Sequence, residues 1–338
     1  MRILAISDIH DNLSAVAKLR DRERNVFDGV IVAGDVGSKK APEIFDVLNS
    51  FQCPVMYIFG NWDHEWDYAT NFGPSCHHLH LTPKIVDGYV FAGFSGLPAN
   101  WGYNPIAKTF RDRVNSDFAD LLFDEASMKT ALAQSISAID SAHQVSVDEL
   151  RSRAIDRRKR EYREKLGRLE ERRWARVRKA EEPLRTLHNS PQYSEYWVKC
   201  AAASKAAYAQ NRAALVDAIK DGELTKTIVV THERLSRTKE DLAEVPLFLF
   251  GHRHSVVDKP YAGSRFVNVS ALDNRVTVVA TGADADDLDE WRTINDGQYV
   301  IIEMASGSIS VTPRPFAPDF SAWDLVPGEF YDSAPEVE

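Results

Sequence analysis

Five short polar motifs, each placed where an apolar run ends, constrain this 338-residue chain more than any other feature. They read Asp8-Ile9-His10, Gly34-Asp35, Gly60-Asn61-Trp62-Asp63, Thr231-His232 and Gly251-His252-Arg253-His254. The runs before them (Arg2 to Ser7, Gly29 to Ala33, Val55 to Phe59, Thr227 to Thr231 and Leu247 to Phe250) are short and apolar, as buried strands are. Two segments of helical spacing alternate with the first three: Asn12 to Arg24, which carries Leu13, Val16, Ala17 and Leu19, and Ala41 to Ser50. Ile85 to Phe94 reads as a hairpin turning at Asp87-Gly88. A β-α-β-α order implies an α/β layered fold, and active groups in such sheets gather at the C-terminal strand ends. The chain must therefore bring residues 8–63 and 231–254 to one place.

What separates those halves is of another kind. From Asn104 to Asp221 strand signal is nearly absent and the spacing is helical. Phe118, Leu121, Leu122, Leu132, Ile136 and Ile139 fit one amphipathic helix, and Ile155, Tyr162, Leu166, Leu169 and Val177 make a thin stripe on a second. Pro183 and Pro191 punctuate, and a third helix runs from Tyr193 to Lys220. If Val145 to Glu182 is one continuous helix, it reaches about 55 Å; a stripe so narrow suits a helical hairpin or coiled-coil arm better than a core helix. The expected organisation is an α/β core at 1–103 and 223–312, a helical insertion or cap at 104–222, and an acidic, Pro-rich tail at 313–338.

The motifs carry four His, two Asp and one Asn, only nitrogen and oxygen donors, which suit Mn, Fe or Zn rather than a thiolate site. In an extended segment residues i and i+2 point the same way, so Asp8 with His10 and His252 with His254 each send two ligands to one centre. The Gly before Asp35, Asn61 and His252 lets the backbone turn sharply. Seven ligands serve two ions if one carboxylate bridges. Two divalent ions and two aspartates leave a surplus of about +2, which attracts a phosphate ester and lowers the pKa of bound water toward ~7. The implied reaction is attack of metal-bound hydroxide on phosphorus.

On these motifs the chain resembles the calcineurin-like metallophosphoesterase superfamily, whose pattern is D-x-H, G-D, G-N-H-[DE], a lone His and G-H-x-H. The likeness spans roughly residues 1–97 and 225–280, with all five motifs in order. It implies a four-layer αββα sandwich and two divalent metal ions, Mn before Fe or Zn. It implies that Asp8, His10 and His254 hold one ion, that Asn61, His232 and His252 hold the other, and that Asp35 bridges them. Asp35, Asn61 and Asp63 thereby fall in the catalytic set, and Asn61, Trp62 and Arg253 are expected to meet substrate. The third motif departs from the pattern: Trp62 stands where the family has a His that contacts the phosphate or protonates the leaving group. Trp62 cannot transfer a proton at neutral pH, which points to phosphodiesters before monoesters, with a nucleotide or nucleic acid preferred. His64 is the candidate substitute acid. The alternatives are a phosphomonoesterase on a small metabolite or phosphoprotein, and a non-catalytic scaffold that binds a partner through the helical arm.

Other features bear on partners. Cys76-His77-His78-Leu79-His80 reads as a polar edge strand rather than a metal cluster. Glu233 and Arg234 border the site as substrate contacts or as solvated loop residues, and Trp101 and Tyr103 either stack on a base or seal the join to the insertion. The net charge is -9, yet Arg151 to Ala180 holds 14 Lys/Arg against 5 Asp/Glu, leaving the rest of the chain near -18. That arm, 151–180, has three readings: contact with a nucleic-acid backbone, a solvated helix, or a coiled coil that forms a homo-oligomer. Three scattered cysteines without CxxC spacing, no apolar run near ~20 residues and no room for a signal peptide before Asp8 lead to a cytoplasmic setting without a membrane span.

Overall fold

The structure, a computed structural model, describes residues 1–96, 104–152, 160–236, 238–254, 256–273, 275–278, 290–293, 297–305 and 308–315. Trp101, Tyr103, Arg157 to Lys159 and the tail beyond Pro315 lie outside the described residues. The chain divides into two compact units, residues 1–108 with 205–338, and residues 109–204.

The first unit is built on two six-stranded sheets. One has β1 (Arg2–Ile6), β2 (Gly29–Ala33), β3 (Val55–Ile58) and β4 (Cys76–His78) in parallel, with β13 (Gln298–Ala305) and β14 (Ser308–Pro315) added antiparallel in the order β14-β13-β1-β2-β3-β4. The other runs β5 (Lys84–Val86), β6 (Tyr89–Phe94), β7 (Thr227–Thr231), β8 (Leu247–Phe250), β10 (Ser264–Val269) and β9 (Val256–Tyr261). A further two-stranded sheet pairs β11 (Arg275–Val278) with β12 (Glu290–Thr293).

The period-two alternation of the strands sorts their side chains into layers. Ile3, Ala5, Ile31, Ala33, Met56 and Ile58 face Ile228, Val230, Leu247, Leu249 and Val267 in the core between the sheets. Leu4, Ile6, Val30, Val32 and Val55 face the other way, against Val16 and Leu19 of α1 (Leu13–Arg22) and Ile44, Phe45 and Leu48 of α2 (Ala41–Asn49). On the far side of the second sheet, Val229, Phe248, Phe250 and Phe266 pack on Leu215 and Ile219 of α6 (Pro191–Ile219). The result is the four-layer αββα sandwich. Parallel β1, β2 and β3 all end on one side of the molecule, as do β7 and β8 in the second sheet, and each of the five ends carries one of the polar motifs.

The second unit is helical. It holds the C-terminal part of α3 (Pro105–Asp117), all of α4 (Ala119–Ser152) and α5 (Arg160–His188), and the first part of α6. The continuous helix entertained for Val145 to Glu182 does not form: α4 and α5 run antiparallel, pinned by Arg173 Nε on Asp140 at 2.7 Å, His143 Nε2 on Glu170 at 2.8 Å and His188 Nε2 on Glu125 at 3.0 Å. A helix with so thin an apolar stripe gains more by pairing with its neighbour than by standing in water. Pro183 does not end α5 but sits within it, whereas Pro191 opens α6, where its missing N–H costs nothing. Among the described residues no helix is long and apolar enough to cross a membrane.

Candidate metal centre

Each motif enters the site through an unusual backbone. Asp8, His10, Asp35, His252 and His254 have φ of 52°, 49°, 56°, 70° and 49°. The left-handed region is costly for residues with a Cβ, on the order of 1 kcal/mol each, and persists where surrounding contacts enforce it, often at functional sites. Asp8 and His10 therefore converge by left-handed turns past the strand end, not by the alternation of an extended segment, and the same holds for His252 and His254. The expected role of the glycines also needs correction. Gly34 does take a positive φ of 91°, but at Gly60 and Gly251 the constraint is space. A Cβ on Gly60 would lie 2.2 Å from Asp35 Oδ1, and one on Gly251 would lie 1.8 Å from Ser7 Oγ.

The seven residues meet in two groups. Donor atoms of Asp8, His10 and His254 lie within 4.8 Å of one another, as do those of Asp35, His232 and His252. Asp8, His10, Asp35 and His232 are buried; His252 and His254 are partly open. Asp35 belongs to both neighbourhoods, because its Oδ2 is 3.4 Å from His10 Nε2 and 3.2 Å from His232 Nε2. His254 Nε2 stands 3.2 Å from Asp8 Oδ1, and Asn61 Oδ1 lies 3.1 Å from His232 Nε2.

Two imidazoles are set from behind. His232 Nδ1 lies 2.8 Å from the Ala33 carbonyl, so that nitrogen keeps a hydrogen and Nε2, which faces Asp35 and Asn61, is the atom left for a metal. His10 Nδ1 faces the buried carboxylate of Asp273, 3.7 Å from Oδ2. Asp273 is itself fixed by Asn12, whose Nδ2 donates to Oδ1 at 2.7 Å, and by its own N–H on the Asp8 carbonyl at 3.0 Å. Sequence reasoning passed over Asp273. It follows β10, a strand parallel to β8, and the strand-end rule that marked the five motifs would have marked it too.

The electrostatics is that of carboxylates crowded with imidazoles. Burial lowers the His10 pKa, but Asp273, Asp35 and Asp8 outweigh it and raise it to about 9. Burial likewise opposes a charged His232, and Asp35 and Asp8 carry its pKa up to about 10. Burial alone would raise the Asp35 pKa, and His232 and His10 drive it well below the usual carboxylate range. Protons on these rings balance the aspartates, and divalent cations binding there would displace them.

The remaining expected residues take different places. Asp63 is buried beneath the site, where its Oδ2 accepts the N–H groups of Asp35 and Gly60 at 2.9 and 2.7 Å and its Oδ1 accepts that of Gly37 at 2.8 Å. It ties the second motif to the third. Trp62 donates its N–H to Asp35 Oδ1 at 2.8 Å, lays its ring 4.4 Å from that of His10, and keeps 41% of its surface exposed. His64 is outside this cluster, its side chain 60% exposed and 3.9 Å from Glu65. Arg253 is exposed between His252 and His254. Arg234 turns its guanidinium over the rings of Phe266 and Tyr261, at 5.1 and 5.9 Å. The Cys76–His80 segment forms the edge strand β4 and an aromatic cluster: His78 and His80 pack on Tyr68, at 4.9 and 4.7 Å between ring centroids.

Residues 1–93 match the family model of the calcineurin-like phosphoesterase superfamily domain. No curated protein matches the sequence. Among solved structures the chain is similar to a conserved uncharacterized protein, a predicted phosphoesterase, from Streptococcus pneumoniae (12% identity over 93% of this chain and 97% of that one, TM-score 0.28). It is also similar to a Vps29 single mutant from Entamoeba histolytica (10%, 94% and 100%, TM-score 0.30) and to the phosphopantetheinyl hydrolase of Mycobacterium tuberculosis (13%, 80% and 88%, TM-score 0.31).

Proposed function

Since residues 1–93 match the calcineurin-like phosphoesterase superfamily domain, we propose that this chain is a dimetal phosphoesterase that prefers phosphodiesters, a nucleotide or nucleic acid. The observation that carries the two-metal reading is the single Asp35 oxygen lying 3.4 and 3.2 Å from the Nε2 atoms of two imidazoles in separate donor groups. The residues fit such a centre. All donors are nitrogen or oxygen, and each group supplies three within 4.8 Å. His232 has its tautomer fixed by the Ala33 carbonyl. Asp8, His10 and His254 would hold one ion, His232, His252 and Asn61 the other, and Asp35 both. Two bound divalent ions, which we take to be Mn before Fe or Zn, would supply charge that polarises the phosphoryl oxygens and activates water.

The protein's own groups set what is turned over. Asp63, through three backbone N–H bonds, holds the Asp35 and Asn61 loops in register, so that ligands on two strands meet without rearrangement. Trp62 supports the diester preference: its ring lies against His10, where the family pattern has an imidazole that serves the phosphate. An indole has no titratable proton at neutral pH and offers a half-exposed aromatic face to a base or aryl group. We assign to Arg253, exposed between His252 and His254, the contact with a phosphate oxygen, and to His64, two residues beyond Trp62, the proton for the departing alkoxide.

The test is turnover of bis-p-nitrophenyl phosphate against p-nitrophenyl phosphate by Mn-loaded protein, with Asp35→Ala as the blank. Faster diester turnover that vanishes in the variant is the expected result. Faster monoester turnover would refute the diester preference, and no metal-dependent turnover of either would refute the enzyme reading.

A further inference from the structure

The helix α5 changes its electrostatic plan halfway along. Its first turns pair their charges: Arg160 Nε meets Glu164 Oε1 at 2.7 Å, and Lys165 Nζ meets Glu161 Oε1 at 2.6 Å. These are the i,i+4 contacts expected of a solvated helix. The last turns pair again, Arg185 with Glu182, but the stretch between is of another kind. Arg168, Arg172, Arg176 and Lys179 follow at steps of four, four and three, which puts them on one face over about 16 Å of helix. All four are exposed.

The positions where a helical partner for Arg172 would sit are Arg168, Leu169, Ala175 and Arg176, and those for Arg176 are Arg172, Arg173, Lys179 and Ala180. None is acidic. Among the described residues, Arg168 approaches only Glu164, at 4.0 Å, and no ion pair involves Arg172, Arg176 or Lys179. Successive like charges at i,i+4 destabilise a helix by about 0.2–0.5 kcal/mol each. The fold does not require this cost. Arg173, which turns toward α4, is paired with Asp140, and the chain as a whole has acid to spare at a net charge of -9.

We propose that this face of α5 binds the sugar-phosphate backbone of a nucleic acid. Three of the four cations are arginine, whose planar fork takes phosphate oxygens two at a time. A lipid surface fits less well, because an interfacial helix inserts a whole apolar side, whereas on α5 Tyr162 and Val177 are buried and Trp174 is the one exposed large apolar side chain among the described residues. The choice of nucleic acid over another polyanion rests on the phosphodiesterase reading above.

The experiment is fluorescence anisotropy of labelled 20-nucleotide single strands and 20-base-pair duplexes with the full chain in EDTA, so that binding is read without turnover. Wild type is compared with Arg172→Ala/Arg176→Ala/Lys179→Ala and with Arg160→Ala/Lys165→Ala, which removes paired cations only. The first variant is expected to bind at least tenfold more weakly. The slope of log K against log salt should become shallower by about two to three for duplex. Circular dichroism should show its helix intact, and the second variant should bind as wild type does. Equal binding by the two variants, no binding by wild type, or tighter binding of wild type to phosphatidylserine vesicles or to an acidic peptide than to DNA would overturn the proposal. Hydrolysis of bis-p-nitrophenyl phosphate by the triple variant should remain at the wild-type rate. Wild type that hydrolyses the diester but does not bind DNA would overturn this inference alone, whereas wild type that binds DNA through this face but hydrolyses no diester would overturn the proposed function alone.

Discussion

The indole of Trp62 lies 4.4 Å from the imidazole of His10, tilted by 37°. This contact occupies the place where the family pattern has a proton-transferring side chain, so it should set the substrate class. Trp62→His is expected to raise turnover of an alkyl phosphate monoester such as glycerol phosphate, whose alkoxide must be protonated as it leaves, about a hundredfold relative to the diester, the low end of the usual range for a positioned general acid. Trp62→Ala should instead raise KM for nucleotide diesters about three- to tenfold, the loss of one aromatic contact of ~1 kcal/mol. Steady-state kinetics on both substrates decides the matter; an unchanged substrate ratio in Trp62→His would remove Trp62 from the specificity argument.

Asp273 gives a prediction that needs no turnover. It faces Nδ1 of His10, while Nε2 of the same ring faces Asp35. Carboxylates in this position orient a ligating imidazole, and losing one typically weakens metal binding 10- to 100-fold. Asp273→Ala should therefore weaken one of two Mn sites by that factor and leave the other near its wild-type affinity, since Asp273 contacts His10 and not His232. Asp273→Asn, which keeps a hydrogen-bond acceptor toward Asn12, should lie between. Calorimetric titration of metal-free protein reads both sites; equal weakening of the two would mean that Asp273 supports the fold of the loop rather than one ligand.

His64 should matter only when the leaving group is a poor one. Its side chain is 60% exposed beside Glu65, and p-nitrophenolate departs without help from an acid, whereas a nucleoside hydroxyl must be protonated as the ester bond breaks. His64→Ala is expected to leave bis-p-nitrophenyl phosphate turnover within twofold of wild type and to slow an alkyl nucleotide diester tenfold or more. A uniform effect on both leaving groups would assign His64 to binding, and no effect on either would exclude it as the acid.

The layered core was legible because its signal is local. Apolar runs such as Gly29 to Ala33, all five residues buried, announce a strand whatever surrounds them, and strand ends announce the site. Conformation at the ligands was not legible. That Asp8 and His10 both take positive φ follows from contacts with distant segments, such as the N–H of Asp8 on the Gly34 carbonyl and that of Ile9 on the Asp35 carbonyl. Local spacing carries no trace of these. The hairpin of α4 and α5 was half legible. The narrow stripe at Tyr162 and Val177 called for a neighbour, but only pairs such as Arg173 with Asp140 show that the neighbour is the preceding helix. Pro183 misled because a proline rule written for helix ends says nothing of a helix braced by packing.

His78 and His80 should each take stability from the fold as pH falls, opposite in sign to His10 and His232, whose raised pKa values add stability to the metal-free protein over the same range. The N–H of Ser95 donates to His80 Nδ1 at 3.1 Å, so that nitrogen is unprotonated. Ser95 Oγ accepts the Phe59 N–H at 2.8 Å and lies 2.7 Å from His78 Nε2, which it can serve as a donor. Both rings are thus held neutral. Burial, aided at His80 by His78, lowers their pKa values to about 4 and 3. For a base whose folded pKa is depressed, the unfolded chain takes up the proton first, so stability is complete above the unfolded pKa of about 6.5 and is lost as pH falls toward the folded value. Between pH 7.5 and 5 each ring should cost about 1 kcal/mol after discounting for partial exposure. Urea unfolding in EDTA at both pH values measures the loss without interference from metal release. His80→Asn, whose Oδ1 can still accept the Ser95 N–H, should shift the change in stability between pH 7.5 and 5 by about 1 kcal/mol in favour of the acid condition relative to wild type, which isolates His80 from the other titrating rings. If it destabilises the protein equally at pH 7.5 and 5, then His80 contributes through packing against Tyr68 rather than through its protonation.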